Sequence, residues 1–102
     1  MTTIGAFKET YRNDHYPSIL TAIHKEEPPF KEVVLNYLKN GKTCAVAPGK
    51  LRDVIDGTTD INSLACYTDG TYLWRSDVIY YFEKYNIDLP DDFISYVLRK
   101  GK

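Results

Sequence analysis

This sequence has few of the residues that build metal centres or disulfide frameworks. It holds two cysteines and two histidines in 102 residues, with one methionine and one tryptophan. Cys44 and Cys66 lie 22 positions apart, and His15 and His24 lie nine apart, spacings that match no zinc pattern. The sequence therefore predicts neither a metal site nor a cofactor.

Long hydrophobic runs are also absent. No apolar stretch approaches the roughly 20 residues that a membrane-spanning helix needs. The first ten residues, MTTIGAFKET, have neither the basic flank nor the apolar run of a secretory signal. We therefore expect a cytosolic protein without membrane contact, in which the thiols of Cys44 and Cys66 stay reduced. Because no repeat or linker interrupts the chain, residues 1–102 are predicted to form a single domain.

A catalytic constellation is missing as well. His15 falls in a polar loop and His24 at the end of a short helix, and no local signature joins either to a cysteine. Gly41-Lys42-Thr43 resembles the end of a phosphate-binding loop, but Asn36 stands where that loop needs a glycine. We therefore predict that the protein is not an enzyme. The alternative that stays open is a small enzyme or ligand-binding domain whose cleft lies near His15 and the hairpin of residues 64–75.

What the sequence does have is a strong separation of charge. Residues 1–52 carry eight Lys and Arg against five Asp and Glu, whereas residues 53–92 carry nine acids against two bases, a net charge of −7. Such an acidic segment disfavours nucleic-acid phosphates and favours a basic partner. Local duties in turns and at helix starts are the other explanation for these acids. We expect an acidic partner-binding surface formed by Asp53, Asp56, Asp60, Asp69 and Asp77.

Residues 68–82, TDGTYLWRSDVIYYF, predict a hairpin that leads straight into a helix. Asp69-Gly70 is typical of a two-residue type I′ turn, in which both central residues have positive φ. That turn pairs Tyr67 with Tyr72 and Ala65 with Trp74. Because successive side chains alternate, one face of the hairpin carries Ala65, Tyr67, Tyr72 and Trp74, and the other carries Leu64, Cys66 and Leu73. Both faces are apolar, so a face that the helices leave uncovered is a place for a partner.

Apolar periodicity predicts the helices around this hairpin. A short helix is expected at about 17–24, one at about 77–85 with Ser76 as its N-cap, and a last one from Leu89-Pro90 onward. A further helix at about 29–39, stopped by Asn40-Gly41, is expected to pack on the core through Phe30, Val33, Val34, Tyr37 and Leu38.

The strands are predicted to be few and short. One is expected at 43–47 and two in the hairpin at about 63–75, while residues 1–16 are irregular or hold an edge strand at 4–7. Pro48-Gly49 turns the chain into a short amphipathic segment with Leu51, Val54 and Ile55. The predicted fold is therefore α+β, a small antiparallel sheet of about three strands packed with four to five helices.

The chain contains nine tyrosines, a residue type that is enriched at protein interfaces. On the helix at 77–85, Tyr80 lies opposite the apolar face of Val78, Tyr81, Phe82 and Tyr85, so we expect it to be exposed. Placement in the core is the competing prediction for Trp74, because large aromatic side chains are usually buried. The aromatic residues predicted to anchor a partner are Tyr72, Trp74 and Tyr80, backed by Tyr67.

The stretch from residue 43 to residue 93 resembles a pattern in small bacterial proteins. The matching positions are Ala45-Val46-Ala47-Pro48-Gly49, Asp53-Val54-Ile55-Asp56-Gly57, Thr68-Asp69-Gly70, Trp74, Ser76-Asp77, Tyr80-Tyr81, Tyr85, Leu89-Pro90 and Phe93. The pattern is similar to that of cytosolic immunity proteins encoded beside toxins of contact-dependent growth inhibition and related polymorphic toxin systems. The resemblance implies no catalysis and one tight partner, the cognate toxin domain, which is often a nuclease with a basic cleft.

Overall fold

The computed structural model describes residues 2–47, 51–61 and 64–100, and it confirms the α+β class. Within these residues the helices are α1 Lys8–Tyr11, α2 Lys31–Lys39, α3 Ser76–Tyr85 and α4 Asp91–Lys100, with a 3₁₀ turn at Ile19–Thr21. The strands are β1 Thr2–Thr3, β2 Lys42–Val46, β3 Leu51–Arg52, β4 Asp60–Ile61, β5 Ala65–Thr68 and β6 Tyr72–Arg75. The predicted turn at Pro48-Gly49 and the hairpin start at Ser63 lie outside the described residues.

The main sheet is mixed rather than purely antiparallel. Among the described residues it has four strands in the order β1-β6-β5-β2, with β1 parallel to β6 and the other neighbours antiparallel. Strands β3 and β4 form a separate two-stranded ladder. The edge strand at the N-terminus is Thr2–Thr3 instead of 4–7, because the next residue, Ile4, already enters the core. The prediction of about three antiparallel strands missed this parallel edge strand and the second ladder.

The hairpin between β5 and β6 exists, but its turn is centred one residue later than predicted. Tyr67 pairs with Trp74 rather than with Tyr72, which places Gly70 and Thr71 at the centre of the turn. Gly70 has a φ of +97°, the sign that a type II′ turn needs at its first central position. The type I′ turn and its pairing were therefore wrong. Since the register moves by two residues, every side chain keeps its predicted face.

The carboxylate of Asp69 explains the later turn. Asp69 precedes the turn and accepts the backbone N–H groups of Thr71 and Tyr72 at 2.9 and 2.7 Å. Its carboxylate also accepts the hydroxyl of Tyr37 from α2. These bonds fix Asp69 in front of the turn, as Asp commonly does in Asx turns.

Helices α2 and α4 cover the aromatic face of the hairpin. Trp74 is fully buried, and its Nε1–H donates to the carbonyl of Leu38 at the end of α2 at 3.0 Å. The ring of Phe93 on α4 meets Tyr72 edge-on at 5.1 Å and Trp74 at 5.9 Å between centroids. Gly41 follows α2 because a Cβ there would lie 2.5 Å from Cζ2 of Trp74. The aromatic face therefore belongs to the core.

Two helix predictions need correction. The helix expected at 17–24 is only the 3₁₀ turn Ile19–Thr21, and Leu20 is 60% exposed because a single turn cannot bury two sides. In α2, Val34 and Leu38 are fully buried as predicted, but Val33 is 42% exposed. One face of the nine-residue α2 thus packs into the hydrophobic core, and Val33 lies beyond the edge of that face.

Helix α3 follows β6 without an intervening loop. Arg75 is the last residue in extended conformation, so Ser76 lies within the first turn rather than at the N-cap. The Ser76 hydroxyl accepts the backbone N–H of Ala65 at 3.0 Å and so ties the helix start to β5. The predicted end at Asn86 is confirmed, since Asn86 adopts the left-handed conformation with φ +54°.

Candidate functional site

The five acidic residues predicted to form a surface have different environments. Asp53 and Asp77 are buried, with 0% and 3% of their surface exposed. Asp56 is exposed in the turn between β3 and β4, and Asp60 is exposed as the first residue of β4. Asp69 is half-buried at the hairpin turn. The fold therefore brings three of the five together, and it leaves Asp53 and Asp77 without surface for a partner.

The carboxylate of Asp53 is saturated with donors from its own protein. Oδ1 accepts the N–H groups of Ile55 and Asp56 at 2.7 and 3.0 Å. Oδ2 accepts the hydroxyls of Tyr80 and Tyr85, both on α3, at 2.6 and 2.7 Å. Burial raises the pKa of Asp53, but these tyrosine and backbone hydrogen bonds hold it below its ordinary value. Asp53 thus joins the turn to α3 as a buried anion.

Tyr80 is part of this connection and is half-buried rather than free. Lys84, one turn further along α3, donates to the Tyr80 hydroxyl at 3.0 Å and to Oδ2 of Asp56 at 3.2 Å. These two hydrogen bonds raise the pKa of Lys84 above its ordinary value. The prediction that Tyr80 is fully exposed was wrong, because its hydroxyl donates to Asp53 and its side chain is half-buried. Its role as a partner anchor stays a prediction.

The predicted aromatic anchors of the hairpin lie mainly inside the fold. Trp74 has no exposed surface, so the structure supports its placement in the core. Tyr67 and Tyr72 are half-buried, and the ring of Tyr72 packs against Tyr96 at 5.2 Å between centroids as well as against Phe93. Helix α4 therefore takes the place that we expected a partner to fill.

A different region has the properties of a binding site. The loop of residues 24–30, which leads into α2, faces the loop of residues 86–90, which joins α3 to α4, and the start of α4. His24 joins them in two ways: its backbone N–H donates to the carbonyl of Tyr85 at 3.2 Å, and its ring Nε2 lies 2.8 Å from Oδ1 of Asp88. The backbone N–H of Asp88 donates to the carbonyl of Ala22 at 2.9 Å. A cleft of about 780 Å³ lies between the loops.

Lys31, at the start of α2 beside this cleft, connects the two loops. Its Nζ donates to Oδ1 of Asn86 at 2.5 Å and to the carbonyl of Glu83 at 2.8 Å, and it lies 3.4 Å from Oε1 of Glu27. The side chain of Lys31 is only 12% exposed. The two loops are therefore held in place before any partner arrives, which lowers the entropic cost of binding.

We call this cleft the acid-rimmed groove. Its apolar floor is formed by the half-buried side chains of Pro28, Phe30 and Ile94, together with the buried Phe82 and Leu89. Four exposed carboxylates line it, against one lysine, Lys25, and His24. An apolar floor inside a polar, mainly acidic rim is typical of a protein-binding pocket. The four carboxylates are those of Glu26, Glu27, Asp88 and Asp91.

Sequence reasoning missed the groove, although a signal was present. Glu26-Glu27-Pro28-Pro29 and Asp88-Leu89-Pro90-Asp91 each combine acids with proline between two helical segments. Proline fixes φ and removes a backbone donor, so both segments are stiff loops with solvated acids. Only the packing of α2 against α3 and α4 brings them together.

The remaining candidate residues give no second site of the predicted kind. His15 is exposed in the loop after α1, where its backbone N–H donates to Oδ1 of Asn13. Across the part of the chain that the structure describes, no three His, Cys, Asp or Glu side chains are placed to hold a metal ion. Cys44 and Cys66 are free thiols.

Comparisons with known proteins add no evidence about the groove, so its interpretation rests on its geometry. No protein-family model, no curated protein and no solved structure matches this chain.

Proposed function

We propose that this protein is an immunity protein, a binding module that holds a basic cognate toxin domain in the acid-rimmed groove and neutralises it in the cytosol without catalysis. The observation that carries the proposal is the pairing of a half-buried apolar floor with four exposed carboxylates. The resemblance of residues 43–93 to immunity proteins is its second support.

The occupant that fits is a protein segment in which Lys or Arg flanks an apolar side chain. The apolar side chain fills the floor at Phe30 and Ile94, and the cations meet the rim at Glu26, Glu27 and Asp91. Opposite charges at the rim speed association, while a desolvated apolar anchor supplies most of the affinity. A toxin domain that cleaves nucleic acid has such a basic surface, because it must attract phosphates.

The same charge argues against other partners. A nucleic acid would bring phosphates to a rim that is already negative, so the rim would repel the phosphates and would release no counterions from them. No helix within the residues described is long and apolar enough to cross a membrane.

The direct test is co-expression with the toxin domain encoded by the neighbouring upstream gene. We expect the protein to restore growth and to co-purify with that domain. The charge-reversed variant Glu26→Lys/Asp91→Lys should lose both effects, because two cations then face the partner's own cations. The matched control Asp14→Lys/Asp60→Lys makes the same change of charge at exposed residues that do not line the groove.

The outcomes separate the site from the function. Equal rescue by the groove variant and its control would show that the toxin binds elsewhere. Failure of the unaltered protein to rescue growth or to bind the domain would reject neutralisation itself.

One observation favours the alternative of a small ligand-binding domain. A second cleft lies at the end of the hairpin, where Arg75 and Asp77 meet between β6 and α3. His15, which we expected beside such a cleft, is not among the residues that line it.

A further inference from the structure

The second cleft, which we call the Arg75 cleft, has a volume of about 610 Å³ and lies between α1, the β3–β4 ladder and the start of α3. Such a volume is within the range of small-molecule sites. The apolar part of its lining includes the buried Ile61 and Tyr81 and the half-buried Leu51. The polar residues that line it are Glu9, Thr10, Arg12, Arg52, Asp60, Arg75 and Asp77.

Arg75 is held rigidly on one side of this cleft. Its guanidinium lies 4.6 Å from the centroid of the Tyr11 ring, and Nη1 donates to the carbonyl of Thr10 at 3.3 Å. Nη2 donates to Oδ2 of Asp77 at 2.8 Å. Only 14% of the Arg75 side chain and 4% of the Asp77 side chain are exposed. The pair is thus pre-organised and largely cut off from water.

Each side chain of the pair has one polar atom that forms no hydrogen bond with the described residues. Nε of Arg75 and Oδ1 of Asp77 are buried and have no hydrogen-bond partner among the described residues. Nε–H can only donate, and a carboxylate oxygen can only accept. Burial without a partner is costly for both atoms, so a ligand that formed hydrogen bonds with them would reduce this cost. Burial raises the pKa of Asp77, although the charge of Arg75 opposes the rise.

The charges that surround the cleft cancel. Three acids and three arginines line it, so it has no preference for a cation or an anion. This balance distinguishes it from the acid-rimmed groove and points to a neutral ligand. The residues concerned are Glu9, Asp60 and Asp77, against Arg12, Arg52 and Arg75.

We propose that the Arg75 cleft binds a small neutral molecule that presents a carbonyl oxygen and an N–H on the same side, as a primary amide or a lactam ring does. The carbonyl accepts Nε–H of Arg75, and the N–H donates to Oδ1 of Asp77. A trans peptide bond does not fit, because its N–H and C=O point to opposite sides. This ligand site is independent of the toxin-binding proposal, since the groove and the cleft share no lining residue.

Ligand titration monitored by nuclear magnetic resonance tests the site with matched pairs of small molecules. Acetamide and uracil have the required edge, whereas N,N-dimethylacetamide and 1,3-dimethyluracil keep the carbonyl but lack the N–H. We expect acetamide and uracil to shift the Arg75 Nε–H and Ile61 methyl resonances saturably. The methylated analogues should bind at least about tenfold more weakly, the loss of one hydrogen bond to a charged group.

A double variant separates binding from folding. Arg75→Met with Asp77→Leu replaces the ion pair by apolar side chains of similar length, a change that often preserves stability. The double variant should unfold cooperatively on heating, and its resonances should no longer shift with acetamide or uracil. The control variant Asp91→Asn, in the groove, should keep these shifts. If the double variant does not fold, Arg75→Lys replaces it, because it keeps the charge but removes Nε–H.

Four results would overturn the proposal. They are no saturable shift with either amide, equal binding of the methylated analogues, binding that survives both Arg75 variants, and tighter binding of acetate or methylammonium than of the amides. The first would mean that water alone satisfies the two buried atoms.

Discussion

Acidic side chains have opposite roles in two regions, the turn that contains Asp53 and the acid-rimmed groove. In the turn, four donors reach the carboxylate of Asp53, and Lys84 neutralises Asp56 beside it. At the groove, Glu26 and Asp91 are exposed around an apolar floor. Acidic residues thus contribute to the fold in one region and remain available to a partner in the other.

The difference shows why the count of acids along a segment is a poor guide to a surface. Residues 53–92 have a net charge of −7, yet the buried Asp53 and Asp77 present none of it. Glu26 and Glu27, which belong to the more basic half of the chain, line the groove instead. What decides the role of a carboxylate is the number of donors that the fold brings to it.

Removing the Asp53 carboxylate should produce the largest effect in this comparison. Asp53→Ala leaves the hydroxyls of Tyr80 and Tyr85 and two backbone N–H groups without their acceptor, so we expect a loss of about 3 kcal/mol or more in the free energy of unfolding. Urea denaturation measures it. Asp91→Ala is the matched removal at the groove, and a similar loss there would erase the distinction between the two regions.

The pH dependence of stability sharpens the same point. The pKa of Asp53 and that of Asp56 lie below their ordinary values in the fold, so their stabilisation is present at neutral pH and is lost as the pH falls below about 4. Asp77 has the opposite sign, because its pKa is raised and its contribution falls as the pH rises.

Urea denaturation across the acid range checks these signs. The variant Asp53→Asn should be less stable at neutral pH and should lose less stability on acidification than the unaltered protein. Asp91→Asn, at the groove, serves as the control with the same change of charge. An unchanged slope for Asp53→Asn would mean that Asp53 is not a buried anion.

The sequence predicts the parts of this architecture that follow from local periodicity. The buried face of α3, with Val78, Tyr81 and Phe82, is as expected because these residues repeat at helical spacing. The faces of the hairpin strands are also as expected, since alternation survives a two-residue shift. The strand register of the hairpin was predicted wrongly. It depends on the hydrogen bonds from the backbone N–H groups of Thr71 and Tyr72 to Asp69, and these depend on the orientation of the Asp69 side chain.

Contacts between distant segments account for the rest. The hydroxyls that hold Asp53 come from residues 27 and 32 positions further along the chain. The groove needs loops that are about 60 residues apart and are joined through His24, Asn86 and Asp88. No periodic pattern records such contacts, and they decide which acids are buried and which are exposed.

Removing a single hydroxyl from this network should have an intermediate effect on the free energy of unfolding. Tyr80→Phe keeps the ring and removes one of the two hydroxyls on Oδ2 of Asp53, so we expect a loss of about 1 kcal/mol in the free energy of unfolding. Tyr16→Phe, at a tyrosine that is 38% exposed, is the control and should change it by less than about 0.5 kcal/mol. Equal stability of both variants in urea would return Tyr80 to the candidates for an interface.

Neutralising the groove should have the smallest effect on stability and a clear effect on binding. Glu26→Gln/Asp91→Asn removes two exposed charges without shortening either side chain, so the free energy of unfolding should change by less than about 0.5 kcal/mol per substitution. The association rate with a basic toxin domain should fall, and its dependence on salt should weaken, because steering by the rim is reduced. Stopped-flow association at several ionic strengths measures both, with Asp14→Asn/Asp60→Asn as the control of equal charge. A rate that ignores salt in all three proteins would show that the rim does not guide the partner, and a marked loss of stability in the groove variant would make its acids structural, like Asp53.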